Sequence, residues 1–189
     1  MSPEAGTDRS QPRFLVDIML GRLAKWLRIL GYDTVYEHLT DQLVLERIRQ
    51  EDRILLSRDR ELVALAGEGR AYFVRNQRPL RQVAEVIRAF RLDPERYFFT
   101  RCSLCNAPVE KVDKDRVGAE VPAYVLQSQE DFWRCPSCGQ IYWRGSHFER
   151  AKAWLHRALT DRGDWPEEIL PGRGDGPASP RRDQRSNAT

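Results

Sequence analysis

Short apolar runs alternate with amphipathic helical patterns four times between residues 13 and 91. The apolar runs predict strands at residues 13–17, 33–37, 53–57 and 71–75. The intervening patterns predict helices at residues 19–30, 41–51, 59–66 and 79–91. Such an alternation is typical of an α/β fold with a parallel sheet, in which right-handed crossovers place helices on both faces. The sequence therefore predicts a three-layer α/β domain over residues 13–93.

Three aspartates lie at or just after the predicted strand ends. Asp17 closes the first strand, Asp41 follows the second, and Asp59 follows the third. Ligands of parallel α/β sheets bind beyond the carboxyl ends of the strands, so we expect these carboxylates to converge. Converging carboxylates repel one another unless a cation lies between them. The pattern predicts a divalent-metal site.

Helix capping is the alternative interpretation of Asp41 and Asp59. Each lies in or next to the first turn of a predicted helix, where a carboxylate suits the helix dipole. Capping explains Asp17 less well, because the apolar residues 18–20 follow it and place its charge close to the core. Asp33 begins its strand at the opposite edge of the sheet, and we expect it to be a turn residue.

A basic row on the first helix suggests a polyanionic ligand. Arg22, Lys25 and Arg28 recur every three residues opposite the apolar stripe, and Arg58 adjoins the end of the third strand. Basic side chains beside a carboxylate-held metal would anchor the phosphates of a nucleic acid. A solvated helix face is the alternative interpretation.

All four cysteines lie in the second part of the chain, as Cys102 with Cys105 and Cys135 with Cys138. Two Cys-x-x-Cys turns can present four thiolates tetrahedrally, as a structural zinc ion requires. Disulfides or redox dithiols are the alternative, although stable disulfides are uncommon in a reducing compartment. The long interval between the pairs leaves room for a β-hairpin, so the pattern predicts a zinc ribbon.

The cysteine segment is also rich in aromatic rings interleaved with arginines. The rings are Tyr97, Phe98, Phe99, Phe132, Trp133, Tyr142 and Trp143. They can fill the interior of a small domain or stack on bases, and we expect the first role for most of them. A last helix starting at Ser146 is expected to dock the ribbon on the main domain, so that ribbon and helix occupy residues 97–160. Residues 1–12 and the Gly- and Pro-rich residues 163–189 are predicted to be disordered.

Composition limits the class of protein. With 189 residues, 41% of them hydrophobic and 31% charged, the chain fits one medium domain and a small appendage. It contains neither an apolar stretch near the ~18 residues of a membrane helix nor a hydrophobic run in its first twelve residues. We therefore expect a soluble cytoplasmic protein. The net charge of +3 permits a nucleic-acid partner without requiring one.

Three segments resemble one known family. Residues 14–33 (FLVDIMLGRLAKWLRILGYD) and 53–59 (RILLSRD) are similar to the PIN-like ribonucleases named for the C-terminal domain of the Mut-seven exonuclease. Residues 135–147 (CPSCGQIYWRGSH) resemble the second zinc knuckle of that family, so the likeness covers about residues 13–158.

The resemblance implies a PIN-like sheet domain, magnesium or manganese held by acidic residues, and cleavage of RNA. The family's acidic positions match the three aspartates named above. PIN nucleases usually add a fourth carboxylate, whereas the fourth predicted strand here ends in Arg75 and Asn76, with Glu37 or Glu61 as substitutes. Ser57 stands where threonine is common.

A metal-dependent ribonuclease is the function that these patterns predict. Asp17 would bind the catalytic ion, and Asp41 and Asp59 would complete its coordination and orient the attacking water. The first alternative is a catalytically inactive module that binds RNA or a protein through its ribbon. The second is a phospho-acceptor signalling domain, which needs a lysine at a later strand end, and residues 53–110 contain none.

Overall fold

Four short parallel strands form the main sheet of the computed structural model, which describes residues 11–118 and 120–160. The strands are β1 (Phe14–Val16), β2 (Thr34–Val35), β3 (Ile54–Ser57) and β4 (Ala71–Phe73). They lie in the order β2-β1-β3-β4, and Leu15 at the centre of β1 pairs with Val35 and Leu55. The predicted parallel sheet is confirmed, although each strand is shorter than expected.

Helices cover both faces of this sheet. They are α1 (Gly21–Ile29), which follows a 3₁₀ turn at Ile18–Leu20, then α2 (Asp41–Gln50), α3 (Arg60–Ala66) and α4 (Pro79–Phe90). Phe14 and Val16 of β1 pack in one core cluster with α1 and α4, whereas Leu15 packs in a second with α2 and α3. This alternation is the period of two that an extended strand imposes on its side chains.

The cysteine segment folds around a second, antiparallel sheet. Its strands are β5 (Glu110–Val112), β6 (Phe132–Arg134) and β7 (Ile141–Trp143), in the order β5-β6-β7. The helix α5 (Ala123–Ser128) precedes β6. Fully buried Phe132 packs with Val117, Val121, Val125 and Ile141 in a small core of their own. An aromatic core was therefore the correct expectation for Phe132.

The last helix, α6 (Ser146–Thr160), packs on the main domain. Its buried residues Ala151 and Leu155 belong to the same core cluster as α1 and α4. Trp154 meets the buried Trp26 of α1 edge to face, with 6.5 Å between ring centroids. Across the residues that the structure describes, no helix is long and apolar enough to cross a membrane. The segments predicted to be disordered, residues 1–12 and 163–189, lie outside those residues except for positions 11 and 12.

The first cysteine turn is fastened to the amino-terminal edge of the main sheet through Asp33. Asp33 Oδ1 accepts hydrogen bonds at 2.8 Å from both Arg53 Nη1 and Asn106 Nδ2. Asn106 Oδ1 in turn accepts from the backbone N–H of Thr34 at 2.9 Å. Asp33 was expected to be a turn residue, and the structure adds a further role, because Asp33 joins the sheet to the ribbon.

Gly31 allows the end of α1 to approach the segment that leads into the ribbon. Its φ is +87°, and a Cβ at this position would lie 2.1 Å from the carbonyl oxygen of Tyr97. The backbone N–H of Phe99 donates to Ile29 O at 2.7 Å beside it. Only glycine satisfies both the left-handed backbone and this close contact.

Candidate active site and metal centre

Ser57 connects Asp17 and Asp59, which follow the carboxyl ends of β1 and β3. The two strands are neighbours, and Asp17 N donates to Leu56 O at 3.0 Å. The buried Ser57 Oγ donates to Asp17 Oδ2 and accepts from the backbone N–H of Asp59 at 2.9 Å. Ser57 therefore holds the carboxylate of Asp17 and the backbone of Asp59. In the sequence, Ser57 stands out only as a replacement for threonine, and its place at the strand end is the signal for this role.

Asp59 is also the N-cap of α3. Its Oδ1 accepts from the backbone N–H groups of Glu61 and Leu62, at 2.8 and 3.1 Å. The capping interpretation of Asp59 is confirmed. The cap uses one carboxylate oxygen, so capping and metal binding do not compete for the same atom of Asp59.

Asp41 lies in the first turn of α2, where it is exposed. The cap of α2 is Thr40, whose Oγ1 accepts from Leu43 N at 3.5 Å, and Asp41 adds a charge that suits the helix dipole. Asp17, Asp41 and Asp59 do not form a compact group of three ligand atoms. Within residues 11–118 and 120–160, only the cysteines form a group of that kind.

The two proposed substitutes for a fourth carboxylate differ in their surroundings. Glu37 is exposed and forms an ion pair with Arg47 of α2. Glu61 is exposed in the first turn of α3, next to Asp59 in space and in sequence. Neither belongs to a compact acidic cluster among the described residues.

The basic row of α1 does not present all its members to solvent. Arg22 is exposed and Lys25 is half-buried, and burial lowers the pKa of the Lys25 ammonium. Arg28 is buried, and it donates to Thr34 O at 2.9 Å and Leu104 O at 2.7 Å. The prediction that Arg28 is exposed is wrong. An α-helix completes a turn in 3.6 residues, so two steps of three residues fall short of two full turns, and Arg28 lies about 120° around the helix from Arg22.

Arg58 and Glu85 both hold the loop between β4 and α4, one through its carbonyl groups and the other through its N–H groups. Arg58 Nη1 donates to the backbone carbonyls of residues 74–76, at distances of 2.6 to 3.3 Å. Glu85 accepts from the N–H groups of Arg75 and Asn76, at 2.8 and 2.9 Å. Burial opposes ionisation of Glu85, but these hydrogen bonds outweigh it and lower the pKa of its carboxyl. The loop beside the acidic residues is therefore fixed.

Two open cavities adjoin these residues. One, of about 440 Å³, is lined by the residues that follow Asp17 and by Tyr36, Gln77, Pro79 and Gln82. The other, of about 710 Å³, is lined by Arg58, Arg60, Val63, Ala64, Phe73 and Arg75. Arg60 lies over the ring of Phe73, with its Cζ 5.0 Å from the centroid. The acidic residues thus adjoin one largely uncharged cavity and one basic cavity.

The four cysteines form a compact cluster. Their sulfur atoms all lie within 4.8 Å of one another, and Cys102–Cys138 and Cys105–Cys135 are 3.5 and 3.3 Å apart. Zinc–sulfur bonds of about 2.3 Å in a tetrahedron place sulfur atoms about 3.8 Å apart, whereas a disulfide brings them to about 2 Å. None of the four is in a disulfide. The cluster fits a structural metal such as zinc, and its sulfur separations are not those of disulfide bonds.

Both cysteine turns share one backbone geometry. The residue after each second cysteine, Asn106 or Gly139, has a positive φ, and its N–H donates to the carbonyl of the first cysteine. The Tyr142 hydroxyl lies 3.0 Å from Cys102 Sγ and accepts from Ser103 N at 3.1 Å. Tyr142 therefore orients the first turn, a role that sequence analysis did not assign to it.

The remaining aromatic rings pack mainly against one another and against cations. Phe98 and Phe99 meet Phe148 of α6 at 5.2 and 5.0 Å between centroids. Lys152 and Arg144 lie over the ring of Phe148, at 5.4 and 5.8 Å from its centroid. These contacts join the ribbon to α6, which favours the structural interpretation of the aromatic residues.

Comparison with known proteins identifies the family of the chain. No curated protein gives a significant match. The model of the Mut7-C RNAse domain matches residues 12–155, which is about three quarters of the 189 residues. The chain belongs to the Mut7-C RNAse domain family.

Proposed function

We propose that the chain is a metal-dependent ribonuclease that cleaves RNA phosphodiester bonds at a site held by aspartates. The observation that carries the proposal is the junction of Asp17, Ser57 and Asp59 at the carboxyl ends of β1 and β3. This edge of a parallel α/β sheet is where ligands bind. Membership of a family described as an RNAse domain supports the same activity.

The aspartates would hold magnesium or manganese, because both ions prefer carboxylate oxygens. Ser57 engages one oxygen of Asp17 and the cap of α3 engages one oxygen of Asp59, so each carboxylate retains a second oxygen for the ion. Asp41 would complete the coordination from the first turn of α2. When bound, the ion would activate water and offset charge on the phosphate.

The RNA backbone would lie along the basic side chains next to these aspartates. Arg22 is exposed at the start of α1, five residues after Asp17, and Lys25 follows one turn later. Arg58 would act chiefly by fixing the loop after β4, where its guanidinium is already engaged. Arg28 has no part in this surface, because it is buried.

The zinc ribbon would stabilise the domain and take no part in cleavage. A four-thiolate site is closed and leaves no position for water or substrate. Reduced cysteines suit the cytoplasm, where we propose that the protein acts.

Cleavage of single-stranded RNA by the purified chain with magnesium or manganese tests the proposal. We expect Asp17→Asn to reduce the rate at least about 100-fold, since it removes a charged ligand of the ion. Asp59→Asn and Asp41→Asn should reduce it too. Asp115→Asn, an exposed change in the ribbon, is the matched control and should leave the rate unchanged.

Ser57 gives a finer test, because it acts through the aspartates. Ser57→Ala should lower kcat while Ser57→Thr, which keeps the hydroxyl, retains it. If the three aspartate variants cleave at the parent's rate, the assignment of the catalytic residues fails. If the parent binds RNA but cleaves it with neither metal, the chain is a binding module.

A further inference from the structure

The cavity of about 440 Å³ next to Asp17 combines flat apolar surfaces with amide groups. Its walls are formed by Met19, Leu20, Gly21, Arg22, Tyr36, Gln77, Pro79 and Gln82. Met19 is 68% exposed, so its thioether side chain is accessible to a ligand at this opening. The opening is therefore surrounded by one aromatic ring, a thioether, a proline and two amides. Its only charged wall residue is Arg22.

The aromatic wall of this cavity is fixed in position. The Tyr36 hydroxyl donates to Ile18 O at 3.0 Å, across the 3₁₀ turn that follows Asp17. A Cβ on Gly21 would lie 2.6 Å from the hydroxyl oxygen and 2.8 Å from Cζ of Tyr36. The ring therefore rests directly on the backbone at the start of α1, and a side chain at position 21 would displace it.

The opposite wall is fixed as well. Gln82 is buried, and its Nε2 donates to the carbonyls of Asn76 and Gln77 at 3.0 and 3.3 Å. The same loop is held by Arg58 and Glu85. Gln77, which is exposed, is thus presented at the rim by a rigid segment. Pre-organised walls of this kind reduce the entropy that a ligand loses on binding.

We propose that this cavity binds one nucleobase of the RNA substrate, an inference that rests on the proposed function. A base offers two apolar faces, which Tyr36 and Met19 can contact, and a polar edge. The Gln77 amide both donates and accepts, as recognition of a base edge requires. Arg22 at the rim complements the adjoining phosphate. The occupied cavity would place that nucleotide beside Asp17, so the cavity would select the base next to the cleaved bond.

The wall composition favours a base over a phosphate. A phosphate site is typically lined by several cations or by helix N–H groups, and this cavity has one arginine. The cavity of about 710 Å³ has three arginines, although Arg58 is already engaged with the loop after β4. The base would thus enter the cavity next to Asp17, while the RNA backbone follows Arg22 and Lys25 beside it.

An abasic scan tests the proposal without depending on cleavage. Affinity of the full chain is measured without added magnesium or manganese, for a short single-stranded RNA and for versions that lack one base at each position in turn. We expect one position whose base contributes about tenfold to the parent's affinity, the size of one stacked base. The paired change Met19→Ala with Gln77→Ala should weaken binding of the intact RNA by about the same factor and abolish the sensitivity at that position.

Both side chains in the paired variant are exposed, so the fold should be preserved. Tyr124→Ala, which removes an equally exposed ring in α5, is the matched control and should keep the parent's scan. If the paired variant still loses affinity when one particular base is absent, the base lies elsewhere and the inference fails. Cleavage of RNA by the parent would then still support the proposed function. A uniform loss across all the RNAs would indicate a backbone contact and also overturn it, as would a parent that shows no sensitive position.

Discussion

Replacing Asp33 by asparagine should destabilise the protein more than any other removal of one carboxylate charge outside the acidic site. Arg53 donates to Asp33, and the side chains of these residues are 5% and 18% exposed, respectively. Asn106 of the first cysteine turn donates to the same carboxylate. The change therefore weakens both a buried ion pair and the connection between sheet and ribbon.

The size of the loss follows from the acidity of Asp33. Burial raises the pKa of its carboxyl, but the hydrogen bonds from Arg53 and Asn106 prevail and lower it from 3.8 to about 2. At 1.36 kcal/mol per pH unit, ionised Asp33 contributes about 2 kcal/mol to the free energy of unfolding at neutral pH. In other proteins, removing one partner of a buried ion pair lowers the free energy of unfolding by about 3–5 kcal/mol. Since Arg53 keeps its contact with Glu51, we expect a loss of about 2–4 kcal/mol.

The contribution of Asp33 to the free energy of unfolding should decrease as the pH falls. A carboxyl whose pKa is lower in the folded state stabilises that state above its unfolded pKa, and the stabilisation disappears as pH falls through the folded pKa. The contribution of Asp33 should therefore be constant above about pH 5 and fall by about half at pH 3, because 3.8 and about 2 bound the transition. The difference between parent and Asp33→Asn should shrink accordingly.

Urea unfolding followed by tryptophan fluorescence measures this difference, because Trp26 is fully buried in the main core. Asp52→Asn is the matched control: Asp52 is exposed, and its φ of +50° is one that asparagine accepts. It should change stability by less than about 0.5 kcal/mol. Equal stabilities of Asp33→Asn and the parent at pH 7, or a difference that grows in acid, would refute the reasoning.

Two further predictions concern the ribbon and its junction with α1. Tyr142→Phe should lower zinc affinity about 10- to 100-fold in competition with a chromogenic chelator, because it removes the hydroxyl beside Cys102; an unchanged affinity would contradict this role. Gly31→Ala should cost more than about 2 kcal/mol in urea unfolding, because its Cβ meets the backbone, whereas Gly69→Ala, with a φ of +77° and open space around it, should cost about 1 kcal/mol. Equal losses would show that the contact at Gly31 is unimportant.

The elements that could be predicted from the sequence are those whose signals are local. The alternation of apolar runs and helical patterns predicted all four β-α units, because periodicity reports which side of each segment is buried. The predicted boundaries of the strands were less accurate: β2 spans Thr34–Val35, whereas residues 33–37 were expected. An apolar pattern does not reveal where hydrogen bonding to the neighbouring strand stops.

The candidate site was only partly predictable for the same reason. The position of Asp17 at a strand end follows from the pattern, and β1 and β3 are adjacent as a parallel sheet allows. The link through Ser57 joins residues 40 positions apart, and the contact of Glu85 with Asn76 depends on the turn between β4 and α4. Neither contact leaves a periodic signal in the chain.

The sequence by itself determined the β-α order and the two Cys-x-x-Cys turns, because turn geometry brings the thiols of each pair together locally. The tertiary structure brings the two pairs into one cluster. Only the tertiary structure decided which charged residues are structural. Arg28 and Asp33 look like a helix-surface residue and a turn residue, yet their partners Leu104 and Asn106 come from the ribbon, more than 70 positions away. A charge in a sequence specifies what a side chain can bind, but burial and the partners supplied by distant segments decide what it does bind.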